Sequence, residues 1–328
     1  MKTSEKIIDY LNKHQHVSGS SLVDYLGITD RAVRKQLKVL LDSNQITKVG
    51  KPPRVYYSIL SLVPKQAIEQ DNLSNIDKSI IELIQAQFLY VSARGTVHKG
   101  WVGFKYWCNE RQFDLAKTAG HYKETYEMYR SYKKDGLISG MYKMKATYDD
   151  VALNEVFYVD FYSIDMFGKT KLGQLLLFAK QSQNREMINE IADIVKPSIL
   201  KVINRYRIDG VGYIPPTVKR ELQLIRQLQK RLNLNVRVVS IKKIITPVAV
   251  PQKTLSKLED RIINARETIS LDDNGTYNNI LLIDDALGSG ATLNEVAKKI
   301  RQKEICKGKI IGLVITGSFR GFEVISEV

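Results

Sequence analysis

Cysteine is nearly missing from this 328-residue chain: only Cys108 and Cys306 occur, far apart and in unlike contexts. That excludes a disulfide framework and any multi-cysteine zinc site, and it fits a reducing cytoplasm. Histidine is almost as scarce. The four lie at 14, 16, 98 and 121 with no HExxH spacing. A histidine-based metal centre or triad in the C-terminal half is therefore excluded. No apolar run approaches the ~18 residues needed to cross a bilayer. The opening MKTSEKIIDYLNKHQ interrupts its apolar positions with charge, unlike the continuous apolar centre of a signal peptide. Acids are in deficit, 35 against 50 Lys plus Arg, for a formal charge of +15 and a pI near 9.5. That balance favours polyanions: nucleic acid, phosphorylated metabolites or an anionic membrane face. The rest is ordinary for a protein with a real core, 44% hydrophobic and 26% charged. The length suits two domains of ~150 residues each.

The first sixty residues have the clearest pattern. Ile7, Ile8 and Leu11 share a helical face. Ser18 opens a short second helix with Leu22, Val23 and Leu26, which Gly27 ends. Thr29 and Asp30 supply the next N-cap signal. The helix that follows repeats Val33, Leu37, Leu40 and Leu41 and keeps Arg31, Arg34, Lys35 and Lys38 largely on the remaining face. Two β-rich runs then flank a basic tip from Lys51 to Arg54. Three helices and a basic hairpin resemble a winged helix-turn-helix domain over residues 1–60. The resemblance implies that the third helix enters the major groove of duplex DNA, with Thr29, Arg31, Arg34, Lys35 and Lys38 facing it. Lys51 and Arg54 would then meet phosphate.

Residues 61–79 read as a polar linker. Residues 80–195 read as an α+β segment, with strands and turns expected around both tryptophans (Trp101, Trp107) and over 155–167, and helices near 117–134 and 172–195. Phe167-Gly168-Lys169-Thr170 looks like the end of a P-loop, but Ser163 stands where its first glycine is required, so Lys169 and Thr170 are expected to open a helix. His98 and His121 near Cys108 match no metal-ligand spacing.

From residue 196 helices and strands alternate, which implies a parallel sheet with ligands at the strand C-termini. Strands are expected at 210–214, 235–241, 279–283 and 309–316, a basic helix at 218–232, and a long polar stretch over 245–275. The distinctive run is ILLIDDALGSGATL. Two adjacent carboxylates at a strand end, Asp284 and Asp285, can accept hydrogen bonds from vicinal sugar hydroxyls. The turn Gly288-Ser289-Gly290-Ala291-Thr292 bares backbone N–H groups at a helix N-terminus and makes a phosphomonoester cradle. Diol and phosphate at this separation specify a ribose 5-phosphate.

The motif resembles the phosphoribosyl-pyrophosphate (PRPP) signature of type I phosphoribosyltransferases, over about residues 196–328. That resemblance implies a parallel-sheet phosphoribosyltransferase fold, so the whole chain is expected to be α/β with a winged helix and an α+β middle segment. It also implies PRPP bound with Mg²⁺ through Asp284, Asp285, Ala286 and the turn residues Gly288, Ser289, Gly290, Ala291 and Thr292. Pro215, Pro216, Thr217 and Lys219 correspond to the pyrophosphate loop. The segment 250–264 is similar to the mobile loop of competence-protein-F-like members, where Lys253 or Arg261 would clamp pyrophosphate. The acid that acts on the base in many purine-salvage members has no counterpart, since Gly288 stands there. Two functions follow: a DNA-binding regulator that senses PRPP, an arrangement similar to Gram-positive purine repressors, or an active phosphoribosyltransferase with Asp284 and Asp285 as its candidate catalytic residues. The latter includes effectors of antiviral defence restrained by nucleic acid. A homodimer is compatible with either.

Overall fold

The computed structural model describes residues 2–14, 17–43, 45–51, 54–59, 76–218 and 220–318, with the backbone alone at 49–51, 54 and 253. The chain forms two compact units, Met1–Leu73 and Ser74–Val328.

In the first unit α1 (Thr3–Lys13), β1 (Val17–Ser18), α2 (Gly19–Leu26) and α3 (Asp30–Asp42) precede the hairpin β2 (Ile46–Lys51) and β3 (Arg54–Ile59). Local chemistry sets the boundaries. The Ser18 side chain accepts from Ser21 N–H and caps α2, Gly27 ends it in the left-handed region at φ 64°, and Thr29 caps α3. Ile7, Leu11, Val17, Leu22, Val33, Leu37, Leu40 and Ile46 make one core. β1 and β2 flank β3 in an antiparallel sheet, so the expected winged topology is present.

The second unit begins, among the described residues, with α4 (Lys78–Gln87), β4 (Leu89–Val91), β5 (Val97–Lys99), α5 (Gly100–Glu110), α6 (Leu115–Arg130), β6 (Ile138–Ser139) and α7 (Met141–Thr147). It continues with β7 (Glu155–Phe161), β8 (Ser163–Ile164), β9 (Gly168–Lys169), α8 (Lys171–Ser182), α9 (Arg185–Tyr206), β10 (Gly210–Tyr213), α10 (Leu224–Leu232), β11 (Arg237–Val239) and β12 (Ile241–Lys243). It ends with α11 (Leu258–Thr268), β13 (Ile269–Leu271), β14 (Ile280–Leu287), α12 (Ala291–Gln302) and β15 (Ile310–Gly317). Six strands form the main sheet in the order β11-β10-β14-β15-β7-β6, parallel except at β6. Alternate residues of β14 and β15 enter two cores, one against α8, α9 and α10, the other against α12 and the helices of 78–147. Covered on both faces, these central strands are near-continuous apolar runs.

Several expectations need correction. Residues 100–110 are helical: Trp101, Phe104, Trp107 and Cys108 recur at helical spacing and are buried, a stripe obscured by interleaved glycines. Gly103 is there for packing, since a Cβ would come within 2.7 Å of the His98 backbone. No boundary falls at 195/196. The α9 helix runs through it, and β7 belongs to the same sheet as β15. The basic helix starts at Leu224 rather than 218, because Arg220 and Leu222 bond instead to the end of α8, through Lys180 O (2.9 Å) and Gln183 Oε1 (2.9 Å). The strand expected at 235–241 breaks at Ser240, whose N–H donates to Asp273, and β12 pairs with β13 in a separate sheet. The polar stretch 245–275 contains a 3-10 turn, Gln252–Thr254, and α11. Most of the expected linker, 61–75, lies outside the described residues. Thr170 caps α8, accepting from Gly173 N–H, so the P-loop look-alike does open a helix.

Candidate functional site

In the first unit the exposed side of α3 is cationic. Arg31, Arg34, Lys35 and Lys38 are all exposed and, at 3.6 residues per turn, span an arc of about 100°. Val33, Leu37 and Leu40 occupy the opposite face and are buried. Thr29 is spent on capping, and Arg34 pairs with Asp30 one turn back at 2.8 Å. The backbone pairs Lys51 with Arg54 at the end of the hairpin; their side chains lie outside the described residues.

In the second unit the strand order identifies a crevice. After β10 the chain crosses to β11 on one side, while after β14 it crosses to β15 on the other. The connections therefore diverge between β10 and β14, and ligands in open α/β sheets bind at that point, beyond the strand C-termini. A cavity of about 270 Å³ lies there. Ile214, Pro215, Pro216, Thr217 and Val218 line it from the end of β10, and Asp284, Asp285, Ala286 and Gly288–Thr292 from the end of β14.

The two carboxylates have different surroundings. Asp285 Oδ2 meets Lys180 Nζ of α8 at 2.6 Å, and the Asp285 N–H donates to Asp284 Oδ1 at 2.8 Å. Burial holds the Asp284 carboxyl well above the usual range. The Asp285 charge adds to the rise, and the N–H bond and Lys180 only partly oppose it. Beyond the pair, Gly290 takes a left-handed conformation at φ 80° and caps α12 without a side-chain bond. The Ala291 N–H reaches the buried Ser289 hydroxyl at 3.3 Å. The residues that open a helix N-terminus thus line the same cavity as the acids.

Cations surround the cavity. Arg261 lines it from α11 although only 4% exposed; its Nε donates to Leu255 O at 2.7 Å. The segment expected to be a mobile loop is thus a 3-10 turn and a helix tied together, with Gln252 donating to Arg261 O at 2.9 Å. Among the described residues, Lys180, Arg220 and Lys243 are the other lining cations, and desolvation lowers the Lys243 pKa. Lys219 and the Lys253 side chain lie outside the described residues. Sequence reasoning missed Lys180, Arg220, Lys243 and Gln252 as site residues. Lys180 comes from α8, Arg220 from the loop before α10, Lys243 from β12 and Gln252 from the 3-10 turn, and none of the four has a local sequence signal. Among the described residues lining the cavity, Asp284 and Asp285 are the only carboxylates, and no cluster of three His, Cys, Asp or Glu side chains is placed to hold a metal.

One comparison bears on the first unit. Residues 4–50 match the DeoR-like helix-turn-helix domain. The match spans α1 to β2, so the N-terminal unit is a helix-turn-helix domain, of the kind that docks its second motif helix in the major groove. No curated protein matches the chain. No helix among the described residues is long and apolar enough to cross a membrane.

Proposed function

We propose that the chain is a DNA-binding regulator whose second unit senses PRPP or a closely related ribose 5-phosphate. The observation that supports this most is the crevice between β10 and β14. It sets an acid pair, an N–H-rich turn at the start of α12 and four lining cations around one cavity. In this reading Asp284 and Asp285 accept from the ribose hydroxyls, residues 288–292 take the 5-phosphate, and residues 215–217 with Arg261 face the diphosphate. Two carboxylates, one engaged by Lys180, are too few for a magnesium cage. They suit a Mg²⁺ that draws most of its oxygens from a bound diphosphate and water.

A second reading, an active phosphoribosyltransferase, is favoured by the cationic lining, which would stabilise a departing pyrophosphate. The absence of a third carboxylate among the described lining residues leaves a purine base without an acid partner, and this favours sensing. DNA dissociation constants measured with and without saturating PRPP–Mg²⁺ at fixed salt test the choice. A regulator shows a shift of about 5- to 150-fold, the usual range of coupling energies. Equal constants, together with pyrophosphate release from PRPP, would overturn the sensor in favour of the enzyme.

A further inference from the structure

The middle segment has a part in the cavity that its sequence does not announce. Residues 140–152 underlie the turn at the end of β14. A Cβ on Gly140 would come within 2.8 Å of Leu287 Cδ2, and one on Gly290 within 2.4 Å of Met144 Sδ. Asn294, in the first turn of α12, donates to Asp150 O at 3.0 Å and accepts from Ala152 N–H at 2.9 Å. The buried Tyr148 hydroxyl lies beside Ser289 and makes no hydrogen bond of ordinary geometry among the described residues. Amid these contacts is a charged group. Lys143 of α7 is only 9% exposed, and its Nζ donates to the Leu287 carbonyl at 3.4 Å.

Placement gives this contact its meaning. Ala286 and Gly288 line the cavity, but Leu287 between them does not, and neither does Lys143. Leu287 is the last residue of β14, paired with Gly317 of β15, and its carbonyl meets Lys143 just before the turn begins. Rotated toward the cavity, that oxygen would set a partial negative charge against a bound anion. Burying an ammonium here is costly: desolvation and the nearby Arg261 charge push Lys143 down to about 8. A methionine would fill a similar volume without that cost.

We propose that Lys143 is a positioning residue for the phosphate-binding turn: it keeps the Leu287 carbonyl away from the ligand and places positive charge behind the amides. The site thereby selects sugars that end in a phosphomonoester over unphosphorylated ones. This rests on the ribose 5-phosphate reading of the cavity, and the experiment separates the two. Calorimetry on the full chain compares ribose 5-phosphate with inorganic pyrophosphate for wild type, Lys143→Met and Lys143→Arg, with thermal midpoints as a folding control. Lys143→Met weakens ribose 5-phosphate about tenfold or more, leaves pyrophosphate within about twofold, and Lys143→Arg restores most of the loss. A folded Lys143→Met that binds ribose 5-phosphate like wild type overturns the role. So does equal loss of both ligands, or an arginine variant as weak as the methionine one, since each indicates mere space-filling. Wild-type protein that binds pyrophosphate but no ribose 5-phosphate overturns the cavity reading itself, and this inference with it.

Discussion

On α3, Arg34 meets Asp30 at 2.8 Å with side chains 75% and 57% exposed; in the cavity, Lys180 meets Asp285 at 2.6 Å with side chains 16% and 25% exposed. The distances are alike and the consequences differ. Water and salt screen the first pair, which leaves its cation available to a phosphate backbone. The second holds one of two adjacent carboxylates in a desolvated crevice, where breaking either partner exposes an uncompensated charge. The same contrast extends to the remaining cations. Those of α3 form an open stripe suited to a long polyanion of many equivalent phosphates. Those of the cavity converge on a space of about 270 Å³, suited to one small anion. A formal charge of +15 describes neither arrangement; burial separates them.

The largest expected effect lies in the crevice. Above the raised Asp284 value, where both carboxyls are ionised, Asp284→Asn with Asp285→Asn removes two charged acceptors, each worth ~1.5–3 kcal/mol, so PRPP–Mg²⁺ binding should weaken by about 10²- to 10⁴-fold in calorimetry. The unliganded variant should have a different pH profile. Asp284 is raised in the folded state, so between the ordinary carboxylate range and its raised value the native protein holds more protons than the unfolded chain. Wild-type stability therefore falls as pH rises through that window, and the variant loses this fall. Undiminished PRPP binding in the double variant would end the assignment of these acids to the ligand.

Next in size is the open stripe. Replacing Arg31, Arg34 and Lys35 by Ala removes up to three phosphate contacts. It should reduce the log–log salt slope of duplex binding by about 2.7, at −0.9 per contact, and weaken affinity by tenfold or more near 0.1 M salt. PRPP affinity should hold, because these side chains belong to the other unit. A wild-type protein without duplex affinity at low salt would show that the helix-turn-helix domain serves another partner.

How much of this was legible in the sequence also divides along the same line. Most of the N-terminal unit could be read in advance, because local signals set its elements: Ser18 and Thr29 as caps, Gly27 as a stop, and a 3.6-residue apolar repeat on α3. The strand and turn around Asp284 were legible in part: the strand was expected to end at 283, but β14 runs on through both acids to Leu287 because it stays paired along β15, and the turn follows only there. What could not be read is tertiary. Lys180 reaches Asp285 across 105 positions, and Lys143 reaches Leu287 across 144. Such partners follow from how α7 and α8 pack on the sheet, for which neither residue type nor spacing gives a cue. The helix at 100–110 was obscured differently: two glycines admitted for close packing made an aromatic stripe look like turns and strands.

The smallest expected effect tests the exposed pair alone. Asp30 lies in the first turn of α3, where a carboxylate is favoured by the helix dipole, and it also holds Arg34. Asp30→Asn should therefore lower the stability of the helix-turn-helix unit by only a few tenths of a kcal/mol, roughly the worth of an exposed i,i+4 pair and a charge at a helix start. On DNA the sign reverses. Removing the acid frees the Arg34 guanidinium and deletes one negative charge from the cationic face, so duplex affinity should rise by about two- to fivefold at ~0.1 M salt, with the gain fading as salt increases. Side-by-side titrations of wild type and Asp30→Asn at two salt concentrations resolve a change of that size. An unchanged affinity at low salt would mean that Arg34 already reaches phosphate past Asp30. A fall in affinity would mean that the Arg34–Asp30 pair itself sets the docking geometry, and the open stripe would then share the ordered character of the cavity.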